Sequence, residues 1–178
     1  KLLIRRIKKA WNKMPEEVRY LIQINSATEL ITFPLRNTTD PYSRIEAMPS
    51  TEDMARSEAA TIIVLDEWSF HPYAEQNYSA VSAAVDEAGM ITGLSTAKGA
   101  GGTFYGIFKA AERGDNDYTP TFISWNRHPE RNEAWYQRKL KDMISAAHGN
   151  EDHGKREMMR EYPRTPDEAF VSSGNTVF

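Results

Sequence analysis

The run Thr61-Ile62-Ile63-Val64-Leu65, closed by the adjacent acids Asp66 and Glu67, constrains the fold more than any other part of the chain. β-Branched side chains favour an extended backbone, and an unbroken apolar run, unlike an alternating one, predicts a strand covered on both faces. Weaker strands are predicted at 90–95 and 120–125, and helices at 74–88, 103–113 and 130–148. Strand, helix, strand, helix, strand implies an α/β fold with a mainly parallel sheet flanked by helices. A polar turn at Gly149-Asn150-Glu151-Asp152 should precede a last short helix ending near Pro163.

Upstream of this region, 29–33 and 44–48 alternate polar and apolar residues around Pro34 and the turn-forming Asn37-Thr38-Thr39-Asp40-Pro41, which predicts a hairpin with one buried face. At the head, Leu3, Ile7, Trp11 and Met14 recur at helical spacing while Arg5, Arg6, Lys8, Lys9 and Lys13 fill the other side, so an amphipathic helix should run until Pro15 closes or restarts it. Such a helix packs by its apolar stripe and leaves a solvated basic face; contact with DNA or an anionic membrane is the functional alternative. Residues 1–19 hold seven Lys/Arg against two Asp/Glu, and the remainder 15 against 23, a basic head on an acidic body.

With 178 residues, 40% of them hydrophobic, the chain can bury a core as a single domain. Having no cysteine, it can form no disulfide framework, thiolate zinc site, iron–sulfur cluster or thiol nucleophile. No apolar run approaches the roughly 18 to 20 residues of a membrane span, and the chain reads as soluble and intracellular, not secreted. Lys1 at one end and Thr176-Val177-Phe178 at the other read as cuts through a larger protein.

In open α/β sheets the ligand crevice lies beyond the carboxyl ends of the strands, where Asp66 and Glu67 are expected. A buried strand ending in Asp-Glu is the Walker B arrangement of P-loop nucleotidases: the aspartate holds magnesium through water and the glutamate polarises the attacking water. The plainer reading is a strand that ends in acids at a solvated turn. The following strand, ITGLSTAKGAGG, delivers Ser95 and Thr96 to the same end, placed to sense a γ-phosphate. Its glycine-rich loop, with Gly99, Gly101 and Gly102, reads as a connection to a helix capped at Thr103. Lys98 precedes the glycines, so the phosphate-cradling pattern G-x-x-x-x-G-K-[ST] is not met there or anywhere in the 178 residues. Arg56, ten residues before Asp66, is of the type that stabilises a transferring phosphoryl group. His148 and His153 read as parts of a polar turn, and Trp125, Trp135 and Tyr136 as core.

Four stretches together, STEDMARSEAATIIVLDEWSF, GLSTAKGAGGTFYGIF, WNRHPERNEAWY and EYPRTPDEAFVSSGNTVF, resemble the ATPase domain of the large terminase subunit of tailed bacteriophages, over nearly the whole chain. The resemblance implies a P-loop NTPase fold of the additional-strand class lacking its Walker A portion, with that segment and a nuclease domain outside residues 1–178. It implies ATP as substrate and Mg2+ as cofactor, with Asp66 on the metal and Glu67 as the catalytic glutamate. Ser95, Thr96 and Ala97 become the coupling motif, and Arg56 a trans-acting arginine finger, although the glycine common next to it in the family is Ser57 here. The implied partners are double-stranded DNA, the portal protein, the small terminase subunit and further copies in a ring, with no membrane. The implied setting is the host cytoplasm, docked on a procapsid. By that likeness the 178 residues alone would not hydrolyse ATP. Two other classes stay open: a helicase or recombination-type translocase, disfavoured by Trp68 after the acids, and a non-catalytic interaction module.

Overall fold

A computed structural model describes residues 2–21, 25–26, 30–33, 43–52, 54 and 59–172. The chain is mixed α/β and divides into two compact units, Lys1–Pro49 and Ser50–Phe178.

In the first unit, α1 (Leu2–Trp11) and α2 (Glu16–Leu21) flank Pro15, whose ring restarts the helix as its position predicts. Three strands follow: β1 (Asn25–Ser26), β2 (Leu30–Phe33) and β3 (Ser43–Glu46), all antiparallel, with Ile31 opposite Ile45 and Thr32 opposite Arg44. The hairpin is thus present, but its burial is lopsided: Ile31 is fully covered whereas all four residues of β3 are exposed. The turn residues 34–42 lie outside the described residues.

The second unit is built on a parallel pair, β4 (Ala60–Asp66) and β5 (Val85–Leu94). Between them a 3-10 turn, Trp68–Phe70, leads into α3 (Ala74–Ala84). After β5 come α4 (Gly102–Arg113), a 3-10 turn at Trp125–Arg127, α5 (Glu133–Ala146), α6 (Glu151–Glu161) and α7 (Pro166–Ser172). Local chemistry sets several boundaries. The side chains of Asn132 and Asn150 accept the backbone N–H groups of Trp135 and His153, capping α5 and α6. Gly114, at φ 75°, closes α4 in the left-handed conformation that suits glycine. The predicted helix over 74–88 stops at Ala84 because Val85 is recruited to the sheet opposite Ala60.

α3 and α4 cover one face of the pair, where Leu65, Trp68 and Val81 form the core with Ile63, Ile91, Phe104 and Ile107. The other face is open. Ile62 is 60% and Val64 58% exposed, as are Met90 and Leu94 beside them. The expectation of a strand covered on both faces therefore fails: among the described residues β4 and β5 form a sheet of two strands, and the helices pack on one side of it.

The strand expected at 120–125 is also not formed. Pro120 has no N–H to give a ladder, and Trp125 is drawn into an aromatic cluster with Tyr136 (ring centroids 4.8 Å) and Trp135 (5.8 Å), joined by Met158. The closing α7 is tied back to α4 by Lys109, whose ammonium donates to Asp167 (2.6 Å) and Glu112 (2.7 Å). Those two carboxylates, Asp167 first, raise the Lys109 pKa.

Candidate functional site

Asp66 is the last residue of β4 and pairs in register with Leu94, the last of β5. Two parallel strands thus end together, and the residues that follow them, Glu67 on one side and Ser95-Thr96 on the other, emerge at the same end of the sheet. A hydrogen bond joins the two exits: the Ser69 backbone N–H donates to Ser95 Oγ at 3.1 Å.

The turn carrying the acids is braced from behind and from the side. Glu67 adopts φ 53°, ψ 39°, a left-handed conformation that costs a non-glycine residue about 1 kcal/mol and that is held by its surroundings. Phe70 N–H donates to the Glu67 carbonyl (2.9 Å) and His71 N–H to the Trp68 carbonyl (3.1 Å). Trp68 is buried against Tyr78 and Phe104, with ring centroids at 5.5 and 5.8 Å. The His71 ring lies 2.8 Å from the Asp66 carbonyl through Nε2. A carbonyl only accepts, so Nε2 is the donor in this contact, and Nδ1 is buried without a partner.

Both acid side chains are exposed and free to receive a ligand from solvent. Thr96 is exposed as well, and the Lys98 ammonium sits 5.2 Å from the Phe70 ring centroid at the same end of the sheet. Ala97 has a different setting: it is buried in a cluster with Ala169 and Phe170 of α7. The end of β5 is thereby packed against the closing motif. In the connection to α4, Gly99 and Gly102 take φ 84° and 81°, values an L-residue rarely adopts. The helix begins at Gly102 with Gly101 as its cap residue, so Thr103 lies just inside it.

Arg56 lies outside the described residues. His148 and His153 fall on the turn between α5 and α6 and on α6 itself. Among the described residues no group of three or more His, Asp or Glu is placed to hold a metal. An ion that takes few protein ligands needs no such cluster. Magnesium at a phosphate site is such an ion, held by one or two carboxylates with water and phosphate oxygens, and Asp66 offers one hard oxygen donor. The reading from sequence missed Ser69 and His71. Their roles come from a backbone donor and a reach back to a carbonyl five residues earlier, neither of which residue type reveals.

A cavity of about 1080 Å3 lies beside β5. Residues 89–97 border it without a break, and so do residues 117–123. A sheet face would contribute alternate residues. Consecutive lining marks an edge, and among the described residues β5 is hydrogen-bonded to β4 alone.

No family model matches the chain, and no curated protein matches it.

Proposed function

We propose that this chain is the Walker B half of an ATP-driven motor that translocates double-stranded DNA, of the kind it resembles, the large terminase subunit that packages viral DNA into a procapsid. One observation carries the reading: the register that ends β4 and β5 together sets Asp66-Glu67 beside Ser95-Thr96, cross-linked through Ser69 N–H and Ser95 Oγ. Hydrolysis of a phosphoanhydride needs charge neutralisation, a positioned water and a group that registers loss of the γ-phosphate. Asp66 would hold Mg2+, which supplies the charge neutralisation. Glu67 would orient and polarise the water, its side chain aimed by the left-handed turn. Ser95 and Thr96 would meet the γ-phosphate, and the packing of Ala97 on Ala169 and Phe170 gives a route from that end of the sheet to α7. Arg56 would serve a neighbouring copy in the ring.

The additional-strand P-loop assignment calls for a further strand bearing the phosphate loop, which no part of the 178 residues encodes. The cavity along β5, bounded by the edge-like runs 89–97 and 117–123, is a slot of the kind such a strand would fill. The portal and small terminase subunit remain the partners this reading assigns, in the host cytoplasm.

The decisive experiment places Glu67→Gln in a protein carrying this chain together with a phosphate-binding loop. ATP turnover should fall about 10²- to 10³-fold with nucleotide affinity kept within about threefold. Unchanged turnover would leave the two acids as solubilising residues at a strand end.

A further inference from the structure

On α1, Arg5, Arg6 and Lys9 are exposed and fall within one arc of about 100° at 100° per residue. Lys13 follows one turn later, also exposed, with its N–H bonded to the Ala10 carbonyl at 3.0 Å. Opposite that arc Ile4 is 2% exposed, and Ile7 and Trp11 are half-buried. α1 contains no acid. Among the described residues none of Arg5, Arg6, Lys8, Lys9 and Lys13 forms an ion pair, Glu16 and Glu17 included. Elsewhere Lys109, Arg113, Lys155, Arg160 and Arg164 are each within 3.1 Å of a carboxylate. The cations of α1 therefore form a row that pairs with no carboxylate among the described residues.

A basic helix can meet an anionic bilayer or a phosphate backbone, and burial separates the two. Binding at a bilayer interface requires a free apolar face to sink below the headgroups, and the apolar side of α1 is already covered at Ile4. The outward arc carries the basic side chains Arg5, Arg6 and Lys9, which fits an aqueous polyanion with regularly spaced phosphates. We infer that the Arg5–Arg6–Lys9–Lys13 face of α1 is a contact surface for the backbone of double-stranded DNA, independent of base sequence. The inference builds on the DNA-handling part of the proposed function and is indifferent to nucleotide chemistry.

The test is fluorescence anisotropy of the 178-residue protein with two unrelated labelled 20-bp duplexes, without nucleotide, from 50 to 200 mM salt. Each phosphate neutralised contributes a slope of about −0.9 in log K against log salt. Three contacts would thus cost about 40-fold in affinity over that range. The triple variant Arg5→Gln, Arg6→Gln, Lys9→Gln keeps good helix formers in α1. It should retain the circular dichroism of the parent, weaken both duplexes at least tenfold and flatten the slope by about 2 to 3. A control, Arg138→Gln with Lys141→Gln on the exposed side of α5, should bind within about twofold of the parent. The inference is overturned by absent duplex binding, by a triple variant with unaltered slope, by an equal loss in the control, or by a strong preference between the duplexes. Preferential binding to phosphatidylserine vesicles would overturn it in favour of a lipid surface. Because ATP is left out, any of these results bears on α1 and leaves the Glu67 experiment to judge hydrolysis.

Discussion

Gly93 sits in the middle of β5, where the absence of a side chain lets the Trp68 ring lie against the strand. A Cβ there would overlap the ring, standing 2.7 Å from Cζ3. Gly93→Ala should therefore destabilise the protein by about 1–3 kcal/mol, read from urea unfolding followed by tryptophan fluorescence, although alanine suits a strand no worse than glycine. The consequence reaches the candidate site, since Trp68 directly follows Glu67. A shifted indole would disturb the turn that holds the carboxylate. Sequence alone marked Asp66, Glu67, Ser95 and Thr96 through residue type and spacing. It could not mark Ser69 or His71, because a backbone donor and a ring reaching back to a carbonyl leave no trace in residue identity.

Between elements, the polar residues of the closing motif act as mechanical ties. Arg164, just before α7, donates to both carboxylate oxygens of Glu133 on α5, at 2.9 and 3.0 Å. Its guanidinium also lies over Tyr136 and Trp125, at 4.5 and 5.4 Å from their ring centroids. Replacement by lysine keeps the charge but loses the planar fork and the stacking, so Arg164→Lys should cost about 1 kcal/mol in thermal or chemical unfolding. Glu133 is held below the ordinary carboxylate range, first by the Gln137 amide (2.9 Å) and then by Arg164. A carboxylate depressed in the folded state stabilises above its unfolded pKa, and that contribution is lost as pH falls through the folded value. Melting temperature should drop on acidification below about pH 4.3, less steeply in Glu133→Gln. The difference should shrink in high salt because the group is exposed. Some element boundaries were legible, the restart at Pro15 and the end of α4 at Arg113 before Gly114. The caps at Asn132 and Asn150 follow local rules but were not singled out, and α5 is shorter at both ends than the expected 130–148. The strand expected at 120–125 was not, because its fate was settled by where Trp125 found aromatic partners.

Over the whole molecule, the parallel pair has one packed and one open face, and the two should respond differently to mutation. Leu65→Ala, on the face covered by α3 and α4, should cost about 2–5 kcal/mol in urea unfolding. Ile62→Thr and Val64→Thr, on the open face, should each stay within about 0.5 kcal/mol. Comparable losses at all three positions would mean that both faces are covered in solution. No membrane-crossing helix occurs among the described residues, in keeping with helices of 14 residues at most.

Sequence by itself determined part of the local order, the strand over 61–65, helices near 103–113 and 130–148 and the two acids that end the most apolar strand, because β-branching and helical periodicity act over a few residues. It put the cap of α4 at Thr103 instead of Gly101 and did not foresee α7. Tertiary structure alone decided that β4 and β5 end in register, that Ser69 meets Ser95, that Ala97 packs on α7 and that one sheet face stays open. Those depend on which distant segments share a surface, and the free energy of that choice lies in burial and pairing across tens of residues, beyond the reach of any local pattern.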